Sequence, residues 1–327
     1  MNYTRSPQPH VLITEGHFAS VYMDWYNTAS SAFVGAGSVV DGVARVFDRA
    51  DYEPDMAGKR HCLNERLFVT VSNHFDEVLL NVANPPSPLR DVLRRRLYVT
   101  RMHYGGGAAD YDSELSFWRR LKSYGVDHLT IRLHADFWRD RESFTLKDQA
   151  APAKGGDLVA KRYLRGLRAL GYRVGLYTDY MLISPLSESW DPDLVALTPE
   201  GDRAEQAYAT YFVKPSRAAE LQAHWAPRIH RKFGTCASYC DQITQANLGW
   251  IEFDPRVPGA TQQRTTLEGW GRLLLNERVA HEGPCYSEGG YHALWAGLCD
   301  GSYAQTFQPD APVVPDFVLR KLHPLAA

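Results

Sequence analysis

His128-Leu129-Thr130-Ile131-Arg132-Leu133-His134 is a short apolar run that stops on a histidine, and runs of the same kind recur along the chain. Leu97-Tyr98-Val99-Thr100-Arg101-Met102-His103 precedes it. Arg173-Val174-Gly175-Leu176-Tyr177-Thr178-Asp179, Cys236-Ala237-Ser238-Tyr239-Cys240-Asp241 and Gly283-Pro284-Cys285-Tyr286-Ser287-Glu288 follow. Each is strand-length and bounded by turn residues. Between them lie longer stretches of helical periodicity, over 113–124, 157–170, 216–233 and 263–280, and Gly125, Gly171 and Gly234 stop three of these. Two further strands are predicted near Tyr303 and over 317–322. Strands and helices in alternation imply a parallel sheet with helical crossovers, and the class expected is a (β/α)8-type TIM barrel.

The residues at which these strands stop carry the functional reading. His103 ends the first, His134 and Asp136 the second, Asp179 the third, Asp241 the fourth and Glu288 the fifth. A barrel enzyme collects its active site at the C-terminal ends of its strands. Acidic residues also open loops and cap helices for purely structural reasons, so the series counts for more than any one member. Asp241 and Glu288 are the strongest pair, each closing an apolar strand, with Gly289-Gly290 allowing close approach to Glu288. Glu282 precedes its strand and is expected at the opposite mouth. Two carboxyls flanking a scissile bond, one ionised and one carrying a proton, are what glycoside hydrolysis needs. Spacing in sequence leaves retaining and inverting chemistry both open. Trp138, Trp250 and Tyr291 follow strand ends closely and are the expected stacking surfaces for sugar rings. His103, His134, Asp136, Asp179, Arg256 and His292 are the expected polar contacts to substrate. Arg264 and Lys214 are further cations able to meet hydroxyls or a neighbouring carboxylate.

The first part of the chain has a different pattern. Short β-branched runs at 33–37, 43–47, 66–72 and 77–82 are separated by Gly, Asp, Asn and Pro, and Pro85-Pro86-Ser87-Pro88 closes the region. The expected organisation is an N-terminal β-rich, sandwich-like region over 1–94 and a barrel catalytic domain over 95–327. The 327 residues carry a formal net charge of −2, with Arg94-Arg95-Arg96 as the one basic cluster, which argues against nucleic acid as the main partner. No apolar stretch is long enough to span a membrane. The start lacks the apolar region of a signal peptide, so the chain reads as cytoplasmic as it stands, with a truncated secreted protein as the alternative. The five cysteines form no CxxC pair and read as mostly buried free thiols, not as a disulfide framework or zinc site. Neither a metal nor a cofactor is expected; Gly105-Gly106-Gly107 lacks the dinucleotide register.

Tyr239-Cys240-Asp241-Gln242-Ile243-Thr244, Phe253-Asp254-Pro255-Arg256-Val257-Pro258-Gly259, Gly283-Pro284-Cys285-Tyr286-Ser287-Glu288-Gly289-Gly290 and Gly301-Ser302-Tyr303-Ala304-Gln305 resemble the barrel of a little-characterised bacterial glycoside hydrolase group. That group is similar to the endo-α-N-acetylgalactosaminidase and α-N-acetylgalactosaminidase barrels. The resemblance is strong over about 235–305 and weaker from about 95 onward. It implies a retaining α-glycosidase acting on a galacto-configured or N-acetylgalactosaminyl glycoside, with Asp241 as nucleophile, Glu288 as acid/base and a β-sandwich ahead of the barrel. One departure is Gln242-Ile243, where a histidine or similar polar residue is expected. The competing readings are a metal-dependent barrel hydrolase built on His103, His134, Asp136, Asp179 and Asp241, and a non-catalytic carbohydrate-binding relative. Residues 95–327 fall short of the ~250 residues typical of a complete barrel. The length therefore reads as a piece of a longer hydrolase or a barrel closed without its eighth unit.

Overall fold

The computed structural model describes residues 10–82, 84–102, 110–139, 145–206, 209–244, 252–289 and 292–303. Its centre is a six-stranded sheet, all parallel, whose strands are β1 (Leu97–Arg101), β2 (Leu129–Leu133), β3 (Arg173–Thr178), β4 (Ala237–Cys240), β5 (Cys285–Glu288) and β6 (Gly301–Tyr303). Spatial order follows chain order from one edge to the other. That is the winding of a barrel and not of a doubly wound sheet, which reverses direction at a switch point. The strand predicted over 317–322 lies outside the described residues.

The crossovers are α1 (Tyr111–Ser123), α2 (Gly156–Ala169), α3 (Pro215–Phe233) and α4 (Gln263–Ala280), within two residues of the predicted bounds. Asp110 caps α1 by accepting from the backbone N–H groups of Asp112 and Ser113. Pro215 opens α3 at a position whose N–H has no helical partner to lose. Gly234 ends it at φ 65°, in the left-handed region that lets a chain leave a helix.

Alternation along the strands gives the sheet two distinct faces. On the outer face Leu129, Ile131, Leu133, Val174 and Leu176 pack with Trp118, Leu164, Leu167, Ile229 and Phe233 of the helices. The inner face carries Tyr98, Thr130, Arg132, Tyr177, Tyr239 and Tyr286; the registers set Tyr177, Tyr239 and Tyr286 side by side, Tyr98 beside Thr130, and Arg132 beside Gly175 one step below Tyr177. Tyr98 on β1 and Tyr286 on β5 stand four strands apart, about 19 Å in a flat sheet. Their rings are stacked at 4.0 Å between centroids and 15° between planes. The sheet is therefore rolled into a half-barrel, with aromatic rings instead of aliphatic side chains filling its interior.

Residues 10–72 carry a three-stranded antiparallel sheet (His10–Thr14, His17–Met23, Leu67–Ser72) and a two-stranded ribbon (Ala32–Val40 with Val43–Asp51). The ribbon and the 67–72 strand match the predicted runs. The run over 77–82 does not: Phe75–Val78 is a 3-10 turn that buries Val78. Leu79 and Leu80 follow into a buried cluster with Tyr22, Trp25, Phe33, Leu182, Trp225, Trp270 and Trp295. This cluster joins the N-terminal strands to the outer helices and loops. Asp300, fully buried, reinforces the junction: it accepts from Arg278 Nε at 2.9 Å, from the backbone N–H of Cys285 at 2.8 Å and from Ser87 Oγ. Cys240, Cys285 and Cys299 are buried free thiols, and burial pushes all three above the usual thiol range. No described helix is long and apolar enough to cross a membrane.

The turn into β5 has no room for a side chain. A Cβ on Gly283 would collide with the Cys236 carbonyl oxygen and stand 2.7 Å from its carbon, backbone atoms at the base of β4. Gly283→Ala is expected to destabilise the fold by about 1–3 kcal/mol through overpacking. Urea denaturation of the purified variant measures it.

Candidate active site

Asp241 and Glu288 follow the last registered pair of neighbouring strands, Cys240 opposite Ser287. Continued alternation sets both on the inner face, at the C-terminal edge, side by side. Both are almost fully buried. The Asp241 backbone N–H donates to the Thr178 carbonyl at 2.8 Å. Gln242 then turns the chain at φ 60°, in the left-handed region. The turn is tied to β5 at three points. Ser287 Oγ donates to the Cys240 carbonyl at 2.6 Å and accepts from the Thr244 N–H at 3.2 Å. Thr244 Oγ1 donates to the Glu288 carbonyl at 2.7 Å. These bonds fix the two carboxyl-bearing backbones relative to one another.

Both oxygens of Asp241 accept from phenols. Tyr177 donates to Oδ2 at 2.9 Å and Tyr239 to Oδ1 at 2.7 Å. Burial, and then the charge and hydrogen bond of Asp241, push the Tyr239 phenol far above its ordinary range, so the proton stays on the donor. Beneath them lies Arg132, 1% exposed, its guanidinium 3.4 Å from the Tyr239 ring centroid and 5.7 Å from that of Tyr177. Burial lowers the Arg132 guanidinium, but Tyr98, Tyr239 and Asp241 outweigh it and keep the group charged. Sequence reading gave Arg132, Tyr239 and Tyr177 no role at the site, although all three stand in the strands it picked out. The signal was present: stepping back two residues from Asp241 and from Asp179 lands on a tyrosine each time, and Arg132 interrupts an apolar strand.

The other predicted residues divide. His134 stands on the inner face two residues beyond Arg132, paired through Nδ1 with Asp136 Oδ1, its ring 5.0 Å from that of Tyr177. Asp179 is buried, and its Oδ1 accepts from the backbone N–H groups of Met181 and Leu182 at 2.7 and 3.2 Å, holding the loop after β3. Trp138 is not a stacking surface. It is completely buried, edge-on to Phe233 on one side and covered by the Arg139 guanidinium 4.3 Å from its ring. The short helix Ala135–Trp138 turns it away from the mouth and into the helical layer. Arg256 is also committed elsewhere: it bonds Asp254 through Nε at 2.9 Å and Asp193 through an outer nitrogen at 3.1 Å. Lys214 reaches the same Asp254 at 2.9 Å, so both cations serve a carboxylate. His103, Trp250 and Tyr291 lie outside the described residues, as does the side chain of His292, whose backbone opens the short helix His292–Trp295. Glu282 is exposed in the turn before β5, at the N-terminal end. Among the described residues no three His, Cys, Asp or Glu side chains converge as metal ligands.

No protein-family model matches the chain, and no curated sequence is similar to it at significance. Solved structures are similar. The ligand-free α-N-acetylgalactosaminidase NagBb from Bifidobacterium bifidum superposes with a TM-score of 0.66 at 14% identity, over 92% of this chain and 56% of that one. Its GalNAc complex gives 0.65 at 13% identity, over 94% and 59%. TtGalA, an α-galactosidase from Thermus thermophilus bound to p-nitrophenyl α-D-galactopyranoside, gives 0.51 at 15% identity, over 88% and 53%. The chain is thus a distant structural relative of these glycosidases, and at such identity the likeness is one of fold. It spans about half the length of the structures it matches.

The Asp254 cluster generates a pH prediction. Hydrogen bonds from Arg256 and then Lys214 hold the Asp254 carboxyl well below the ordinary aspartate range. A depressed carboxyl stabilises the fold above its unfolded value and loses that contribution as pH falls below about 4. Asp254→Asn is expected to lower the melting temperature at neutral pH. Its gap to wild type should stay constant from about pH 7 to about pH 4 and narrow as pH drops from about 4 toward about 2, followed by thermal melts.

Proposed function

We propose that this chain is the catalytic part of a retaining α-glycosidase acting on galacto-configured or N-acetylgalactosaminyl glycosides. Asp241 is the nucleophile and Glu288 the acid/base. The observation that carries this reading is the placement of the two carboxyls on adjacent parallel strands at equal register, on the inner face of a rolled sheet. Neighbouring strands run about 4.8 Å apart, a backbone spacing from which two carboxyls at equal register can reach the separation of about 5–5.5 Å found in retaining enzymes. The solved neighbours, an α-N-acetylgalactosaminidase and an α-galactosidase, support the substrate class. The half-barrel is read as part of a (β/α)8-type barrel over 95–327, with 1–94 as the sandwich-like region ahead of it.

In the first step an Asp241 oxygen forms a bond to the anomeric carbon while the glycosidic C–O bond breaks. The leaving oxygen takes the proton of Glu288. In the second step Glu288 takes a proton from water as its oxygen bonds the anomeric carbon, and the electron pair of the ester bond returns to Asp241. Tyr177 and Tyr239 hold the carboxylate so that its orientation costs nothing at the moment of reaction. His134, paired with Asp136, stands at the same mouth and is assigned to ring hydroxyls.

The test is hydrolysis of p-nitrophenyl α-galactoside and α-N-acetylgalactosaminide, with the anomer first released followed by proton NMR. The α anomer is expected. Asp241→Asn should lower kcat/KM by about 10³-fold or more. Glu288→Ala should lower it by about 10²–10⁴-fold on poor leaving groups, with azide restoring turnover of activated ones. Release of the β anomer, or full activity in Asp241→Asn, would defeat the assignment.

A further inference from the structure

Arg132 is a buried cation in a place where barrels ordinarily put an aliphatic side chain. Burying it is costly unless its charge is balanced. Its guanidinium carbon lies over the Tyr239 ring, 3.4 Å from the ring centre, and that ring's hydroxyl donates to Asp241. The more distant Tyr177, at 5.7 Å, donates to the other oxygen of the same carboxylate. Cation, ring and carboxylate therefore form a chain, Arg132 over the Tyr239 ring and the Tyr239 hydroxyl on Asp241, all three buried. A positive charge over the π face draws electron density from the phenol and strengthens its O–H as a donor.

We propose that Arg132 is a positioning residue that acts on Asp241 through Tyr239, stabilising the carboxylate as it departs from the glycosyl-enzyme. The proposal rests on the glycosidase reading above. Asp241 loses its negative charge when its oxygen bonds the anomeric carbon, and regains it when water displaces that oxygen. A polarised donor favours the charged state, so it helps the second step, in which the charge returns, and slightly opposes the first, in which it is lost. Removing Arg132 therefore slows release of the sugar from the enzyme and does not slow its capture.

The experiment uses a 2,4-dinitrophenyl α-glycoside, whose leaving group makes capture fast. Arg132→Met is expected to lower kcat about tenfold to a hundredfold and KM by a similar factor, so that kcat/KM changes little. Tyr239→Phe should lower kcat and KM as well, with an added fall in kcat/KM because its hydroxyl also orients Asp241 for attack, and Arg132→Lys should recover part of kcat. The double variant Arg132→Met/Tyr239→Phe should be no slower than Tyr239→Phe alone, because the guanidinium has lost the group it acts through. A fall in kcat/KM at constant KM, or costs that multiply in the double variant, would overturn the proposal. A second readout needs no turnover: the downfield hydroxyl proton of Tyr239 in the resting protein, identified by its loss in Tyr239→Phe. It should move upfield in Arg132→Met. An unmoved resonance overturns the Arg132 assignment even in an active glycosidase. A shifted resonance in a chain that cleaves no glycoside overturns the glycosidase reading and leaves the coupling of Arg132, Tyr239 and Asp241 standing.

Discussion

The stack of Tyr98 on Tyr286 is the contact on which the rest of the molecule depends. It requires strands four places apart to face each other, and so it converts a sheet into a trough with an inside. Once there is an inside, period-two alternation decides what occupies it. Tyr177, Tyr239 and Arg132 form a floor, and the residues two positions further along the same strands, Asp179, Asp241 and His134, form a rim. A flat sheet with this sequence would have spread the same groups over a solvated surface and left Arg132 without the rings that cover it.

Much of this architecture was legible in the sequence because it is local. Four helices and five strands announced themselves by periodicity and by the glycines that end them, and a sixth strand lay where Tyr303 pointed. The carboxyls at the strand ends were legible for the same reason. What was hidden depends on direction and closure. Trp138 follows a strand end in sequence, yet one helical turn over Ala135–Trp138 points it outward against Phe233. Arg256 looked like a cation near the mouth, but Asp254 two residues earlier captures it. The run over 77–82 has strand composition, yet Val78 ends a 3-10 turn and Leu79 and Leu80, just after it, serve the core.

The N-terminal strands and the half-barrel share buried aromatic packing. Tyr22, Trp25 and Phe33 on one side meet Trp225, Trp270 and Trp295 on the other, and Asp300 ties Ser87 to Arg278 and to the start of β5. The strand that carries Glu288 is thereby anchored at its base from outside the sheet. Ser287 and Thr244 anchor its far end from the neighbouring strand. The acid/base candidate is held from two directions by groups that never approach the mouth.

The tyrosine-lined interior has a consequence for engineering. In most enzymes of this architecture a packed aliphatic core lies below the chemistry, and the two can be altered separately. Here the core and the support of the candidate nucleophile are the same atoms: the rings that fill the trough are the rings whose hydroxyls hold Asp241. Substitutions chosen to repack the interior for heat resistance would therefore disturb the carboxylate, and a trade-off between robustness and activity is built into that layer. Stabilising changes belong on the other face, among Leu129, Ile131, Leu133, Val174 and Leu176, where the sheet meets its helices and no side chain reaches the mouth.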